Sequence, residues 1–407
     1  MILTRAYKTE LDPNAAQRQK LVQHAGAARW AFNFGLRRKI EGYKETGKSP
    51  SAIDLHKELN LLKKIAKEAG GVPWMYESSK AAPQEALRDL DVAFKNFFAR
   101  CAKGAAKKGF PRFKSRHRTP LKFRLTGTVK ARHNAFFLPS IGWVRLKERG
   151  YIPAQAFSQV SVSERAGHWF VSVIVKTEAP DPVPLQDGEF IGVDVGITSL
   201  ATLSDGTVYE NPRALKARER KLAHLQRELA RKQKGSKNHA KAKHRVAVQY
   251  YRVSCVRKDA ISKATSSLIA KAPRAIGIES LNIAGMKRNH CLAKAVSDAS
   301  MGEFLRQVKY KAAWAWIPVV EADRWYPSTK TCSACGNMQG MPLGQRTFRC
   351  ASCGINIDRD LNATLNLRAL AASSAVNACG GDVSPVRTYV LEAAPAKQES
   401  KPCFEER

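Results

Sequence analysis

No apolar run in the 407 residues approaches the ~20 that a membrane-spanning helix needs. The start, "MILTRAYKTELDP", lacks the apolar stretch of a secretion signal. Acids are scarce: 35 Asp and Glu stand against 69 Lys and Arg, a formal net charge of +34. The nine cysteines offer no disulfide framework, because their total is odd and four of them fall in two C-x-x-C pairs. These absences argue against a spanning membrane protein and a disulfide-stapled secreted one, and the expectation is a cytoplasmic protein. A folded chain with this cationic excess repels itself unless a polyanion neutralises it, so a nucleic-acid binder is the leading class.

The length exceeds one ordinary core and predicts two or three domains, and the hydrophobic fraction of 44% is globular. "LTRAYKTEL" alternates like a strand. Asp12 as N-cap and Pro13 at the first helical position then predict a helix whose Leu21, Ala25, Ala28, Phe32 and Leu36 recur at helical spacing. A second helix is expected in "SSKAAPQEALRDLDVAFKNFFARCAKG", with Leu87, Leu90, Phe94 and Phe97 on one face and Pro83 in its first turn. The segment "KKGFPRFKSRHR" breaks the pattern with Gly109, Pro111 and dense cations. "FFLPSIGWVRL", "QVSVSER" and "HWFVSVIVKTE" then read as strands that join the first one in a small β domain, the helices lying between. "APDPVPLQDG" is a Pro-rich boundary.

Beyond it, "SDG" is a turn after which "TVYEN" returns as a paired strand. From Arg213 to Lys258 a basic stretch carries only Glu219 and Glu228 as acids, and Gly235-Ser236 predicts a helical hairpin there. Such a run is commonly a solvated face. In a chain this basic, nucleic-acid contact is the better expectation. "APRAIGIES" is a short strand ending in Glu279, a helix follows the last cysteines, and the chain after about Ala371 reads as a weakly ordered tail.

In "EFIGVDVGITSL", residues 189–200, Ile191, Val193, Val195 and Ile197 form an inward-facing strand with Asp194 in its middle. Burying an unpaired charge costs on the order of several kcal/mol, so a carboxylate there calls for a partner. Two further acids stand out. Glu279 ends its strand, where a solvated side chain is the ordinary explanation. Asp360 lies near a helix start in "IDRDLNATLNL", where Asp358 or Asp360 ordinarily serves as a cap. Taken together, converging carboxylates are hard oxygen ligands that suit Mg²⁺ or Mn²⁺. A pair of such ions about 4 Å apart activates water and steadies the leaving oxygen in phosphodiester cleavage. By analogy of fold, the layout resembles that of RNase H-like nucleases.

Cys332, Cys335, Cys350 and Cys353 form two C-x-x-C-G units about fourteen residues apart, close to zinc-ligand spacing. Gly336 and Gly354 permit the tight knuckles that bring backbone amides to thiolates. A closed four-thiolate zinc site is structural rather than catalytic.

"GFPRFK", "GVDVGI", "GIESL", "SDASMGEFLRQVKYKA", "YPSTKTCSACG" and "CASCGINIDRDLNATLNL" occur in an order that resembles the TnpB family, transposon-encoded RNA-guided DNA endonucleases related to the type V CRISPR effectors. The resemblance spans nearly the whole chain and weakens only in the tail. It implies an α/β multidomain fold: an RNase H-like (RuvC) nuclease domain with an inserted zinc ribbon, and an N-terminal β-barrel-like wedge domain carrying a helical recognition insert. The implied divisions are 1–182 for the wedge with its insert at about 12–118, 186–328 and 357–371 for the nuclease domain, 329–356 for the ribbon and 372–407 for the tail. The implied partners are a guide RNA from the transposon end and target DNA beside a short transposon-adjacent motif. Asp194, Glu279 and Asp360, the latter rather than Asp358, would be the catalytic triad and hold Mg²⁺ or Mn²⁺, while the four cysteines hold Zn²⁺. Lys80 and Gln84 fall where family members contact the adjacent-motif DNA. "NATLNL" departs from the commoner "NAALNI" without touching a ligand.

Two rivals remain: a nuclease-silent RNA-guided DNA binder or accessory protein of transposition, which would ordinarily have lost an acid, and a strand-transfer transposase. The latter calls for a separate DNA-end-binding domain such as a helix-turn-helix.

Overall fold

The computed structural model describes residues 2–178, 188–342 and 344–377. The chain divides into two compact units, one of residues 2–178 and one from residue 179 onward, and each is taken by itself. The expected Pro-rich boundary falls almost wholly outside the described residues. No helix among them is long and apolar enough to cross a membrane.

In the first unit, strand β1 (Ile2–Asp12) leads into helices α1 (Ala15–Thr46), α2 (Ala52–Lys64) and α3 (Ala81–Ala102). Strands β2 (Lys122–Ala131), β3 (Ala135–Leu138), β4 (Gly142–Leu146), β5 (Ala156–Arg165) and β6 (His168–Glu178) follow. The six strands close into an antiparallel barrel in the order β1-β4-β3-β2-β5-β6. Alternation drives the closure: Trp169, Val171, Val173 and Val175 of β6 point inward, against Phe136, Phe157 and Val162.

The α1 cap is not Asp12, which ends β1 and pairs with Arg145. Asn14 and Gln17 form a reciprocal capping box instead, leaving Pro13 outside the helix. Strand β2 escapes a reading by alternation because its register shifts between Thr126 and Val129, around Gly127 at φ +98°.

The second unit holds β7 (Phe190–Asp194), β8 (Ser199–Leu203), β9 (Val208–Glu210), α4 (Glu219–Ala230), α5 (Lys237–Ala270) and β10 (Ala275–Ile278). After them come α6 (Ile283–Met286), α7 (Ala293–Ala299), α8 (Met301–Trp314), β11 (Val319–Glu321), β12 (Thr347–Arg349), β13 (Asn356–Asp358) and α9 (Arg359–Asn377). The main sheet has the order β11-β10-β7-β8-β9. An antiparallel meander β7-β8-β9 is extended by β10 and β11, both parallel to β7. The basic stretch is the helical hairpin α4–α5, with Arg231, Lys232, Lys234, Lys237 and Lys241 exposed about its turn.

The two faces of this sheet differ. Ile191, Val193, Ile276 and Ile278 pack with Ile261 and Leu268 of α5 and Phe304 and Val308 of α8. On the other face lies α9, and the strands offer it glycine. A methyl on Gly192 would lie 1.9 Å from the Thr364 carbonyl oxygen, and one on Gly277 would lie 2.2 Å from that of Leu367. Helix and sheet therefore meet backbone to backbone, a spacing no side chain permits. Helix α9 runs to Asn377, past the expected tail boundary; residues 378–407 lie outside the described residues.

Gly192→Ala should cost about 3 kcal/mol or more, the upper end for overpacking, because backbone rather than a flexible side chain would have to move. Gly340→Ala, with nothing within 4 Å of the added carbon, is the matched control. Thermal melts followed by circular dichroism should show a lower transition for the first and an unchanged one for the second.

Candidate active site and four-cysteine centre

Side chains in a strand alternate, so Asp194 shares a face with Gly192, and Glu279 with Gly277. Asp194 is the last residue of β7, not its middle, and Glu279 is the first residue after β10. In the parallel register Ile278 lies opposite Val193, which sets Glu279 beside Asp194 at the carboxyl ends of neighbouring strands. Ligands of open α/β sheets bind at that edge. Asp360, Thr364, Leu367 and Ala371 follow the 3–4 spacing of one face of α9. Thr364 sits over Gly192 and Leu367 over Gly277, so Asp360, one turn earlier, reaches toward Asp194.

Asp194 is half-buried, keeping a path to solvent while protein packs around it. Burial, then the Glu279 charge, then the Asp360 charge push its carboxyl up to about 8, and Arg359 opposes them. Glu279 and Asp360 thus both act on Asp194. Among the described residues they do not draw together as tightly as the four cysteines do. Glu279 and Asp360 each have a tether. Ser328 Oγ donates to Glu279. Arg359 Nη2 lies 3.2 Å and Arg346 Nη1 3.6 Å from Asp360. Asp358 accepts from the amides of Asp360 and Leu361 at 2.9 and 3.0 Å, and so caps α9. The donor set fits a hard divalent cation: three carboxylates, one of them strongly raised, opposed by few cations.

The sulfurs of Cys332, Cys335, Cys350 and Cys353 all lie within 4.8 Å of one another. Two pairs, Cys332–Cys353 and Cys335–Cys350, are 3.6 Å apart. Four thiolates around zinc at its usual bond length stand about 3.8 Å apart, so the set fits that ion. Gly336 and Gly354, at φ +77° and +73°, close the knuckles. The amide of Cys353, helped by that of Ser352, pulls the Cys350 thiol down to about 6.

Two residues that the sequence reading passed over connect these centres. Asn362 and Asn366 are buried within α9, where asparagine is a poor helix former. Asn362 accepts from the Ser333 amide at 2.9 Å and donates to the Thr331 carbonyl at 2.8 Å. Asn366 donates to the Ser328 and Thr331 carbonyls, both at 2.7 Å. The loop entering the four-cysteine module is thereby clamped to the helix that carries Asp360, and Arg346 from the module reaches Asp360 and, at 3.1 Å, Thr198. Two asparagines four residues apart in "LNATLNL" were the available signal.

Lys80 and Gln84 lie in the other unit. Lys80 is exposed at the start of α3, and its carbonyl accepts from the Gln84 amide, so the two share a face.

Residues 172–290 match a family described as "Probable transposase", and residues 302–367 match "Cas12f1-like, TNB domain". A "Putative RNA-guided DNA endonuclease" of Streptomyces pristinaespiralis is 34% identical, over 94% of this chain and 92% of that one. A second, "Putative RNA-guided DNA endonuclease InsQ" of Escherichia coli K12, is 32% identical over 97% and 96%. The chain belongs to the TnpB family. A solved "Cas12f1-sgRNA-target DNA complex" covers 90% of this chain at 14% identity, with a TM-score of 0.33, below the level of a shared fold. Residues 1–48 match a family described as "Helix-turn-helix domain". Here residues 2–46 form a barrel strand and one unbroken 32-residue helix, with no turn between two helices.

Cys332→Ser should release zinc and loosen the Asn362–Ser333 clamp, since the ion's binding energy is also folding energy. Elemental analysis should find about one zinc per wild-type chain and a clear deficit in the variant. A second prediction concerns pH. A carboxyl raised from 3.8 to about 8 on folding leaves the folded state binding more protons across that window. Its contribution to stability is complete below 3.8 and is lost as pH rises through about 8. In buffer without divalent ions, the melting temperature of Asp194→Asn relative to wild type should therefore climb from pH 5 to pH 9, and a constant difference would refute the raised carboxyl.

Proposed function

We propose that the chain is an RNA-guided DNA endonuclease of a transposable element, cutting DNA beside a short adjacent motif by metal-dependent phosphodiester hydrolysis. The observation that carries this reading is Asp194 at the carboxyl end of β7, its charge coupled to those of Glu279 and Asp360. Family membership supplies the context, because both relatives carry the name of RNA-guided DNA endonucleases. We assign the 188–377 unit to an RNase H-like (RuvC) domain interrupted by a zinc ribbon. The barrel becomes the wedge domain and α1–α3 its recognition insert. An antiparallel meander with two added parallel strands, and acids at their carboxyl ends, supports the first assignment.

Asp194, Glu279 and Asp360 would hold Mg²⁺ or Mn²⁺, which when bound activates water and steadies the departing oxygen. The chain's own groups prepare that set. Ser328 orients Glu279, and Arg346 and Arg359 hold Asp360 toward the sheet. The exposed cations of the α4–α5 hairpin are a surface for the phosphates of guide RNA or target DNA. Lys80 and Gln84 are the proposed contacts to the adjacent motif. All three acids are present, which disfavours a nuclease-silent protein, and the single helix α1 disfavours a strand-transfer transposase with a helix-turn-helix at this end.

RNA that co-purifies with the chain should be discrete rather than random, and the loaded protein should cut a DNA duplex matching it. Asp194→Ala should abolish cutting and leave RNA and DNA binding unchanged, because it removes a metal ligand and no cation. Cutting at the wild-type rate by that variant would end this assignment of the site.

A further inference from the structure

The sequence places dense cations in "KKGFPRFKSRHR", a candidate for RNA contact, and a core-facing stripe on α1. In the first unit the two meet beside a cavity of about 310 Å³, lined among others by Gln23, Arg29, Trp30, Asn33, Trp74 and Glu77. That volume is at the small end for ligand sites, the scale of one nucleotide rather than a duplex. We propose that this cavity binds a single unpaired nucleotide, its base against Trp30 and Trp74 and its phosphate on Arg29 and Arg116. The proposal rests on the reading that the chain's partners are nucleic acids.

Aromatic geometry comes first. Trp30 stacks on Phe34 at 5.2 Å and 10°, which fixes its plane. Trp74 stands at 87° to it, 6.2 Å away, from the 3₁₀ turn Pro73–Glu77. Core packing accounts for Trp30. It does not account for Trp74, which is 38% exposed at the cavity wall. Bases stack on such rings whatever their sequence.

The charges point the same way. Asn33 grips the Lys114 backbone from both sides, donating to its carbonyl at 2.9 Å and accepting from its amide at 2.7 Å. Lys114 Nζ lies over the Phe32 ring at 3.5 Å. The segment is thus pinned to α1, and burial first, then the charge of Arg116 two residues further on, lowers the pKa of Arg29. Neither pairs with a carboxylate among the described residues. Glu77, the one acid among the residues lining the cavity, accepts from Gln23. Two like charges brought together with no counter-ion suit a phosphate, which guanidinium binds through paired hydrogen bonds.

The fold provides a test. Gly26 lines the cavity from within α1, and an added carbon there meets nothing within 4 Å. Gly26→Leu directs a side chain into the space from a position whose first added carbon is unobstructed, and replaces a poor helix former. The probes are the RNA that co-purifies with wild-type protein and, on the loaded protein, a DNA duplex matching that RNA. Gly26→Leu should melt no lower than wild type and bind one of the two ~10-fold more weakly, the loss expected when one stacked base is displaced. The probe affected identifies whether the nucleotide belongs to RNA or DNA. Arg29→Ala, the second variant, should lower the slope of log affinity against log salt by about one for the same probe. Unchanged affinity for both probes in Gly26→Leu, or an unchanged slope in Arg29→Ala should the first variant fail to fold, overturns the proposal. Neither readout needs DNA to be cut, so failure here is separable from failure of the endonuclease reading.

Discussion

Everything at the acidic edge depends on how closely α9 lies on the sheet. Gly192 and Gly277 let the helix backbone rest on the strand backbones, where a methyl would fall about 2 Å from a carbonyl oxygen. Each glycine precedes its acid by two residues. The pleat therefore turns Asp194 and Glu279 to the helix side of the sheet, and the helical repeat brings Asp360 to them one turn before Thr364. A larger residue at either glycine would lift α9 and carry Asp360 away. The contact that holds the fold together is also the one that assembles the site.

The four-cysteine module acts on the same helix. Asn362 accepts from and donates to the loop that enters it, Asn366 donates to it, and Arg346 returns from it to Asp360. Burying two side-chain amides in a helix is unfavourable unless their hydrogen bonds are met, and these are met by backbone of the loop. A module with a small core of its own, built on Phe348 with Cys332 and Cys350, is thus coupled to the carboxylates it does not touch with its sulfurs.

In the barrel unit, positive charge is gathered by a comparable clamp. Asn33 holds Lys114 as a strand neighbour would, and the cations that follow are brought beside α1 rather than left free. At Lys114 the position of a cation is thus set by neutral side-chain-to-backbone hydrogen bonds that no count of charges reveals.

Much of this was legible in one dimension. Period-two alternation marked β1, β5 and β6, and helical spacing marked α1 and α3, because burial on one face imposes those periods. The two C-x-x-C-G units carried their ligand set locally, since a knuckle is a matter of four or five consecutive residues. Strand β2 was hidden by its bulge, and Asn14 took the cap from Asp12, because bulges and caps are settled by the neighbours a segment acquires. Asp194, Glu279 and Asp360 could be named from the sequence as unusual, each with an ordinary excuse. Their mutual charge required the parallel register of β7 and β10 and the descent of α9 onto two glycines. Those are relations between residues more than eighty positions apart, and only folding sets their distance.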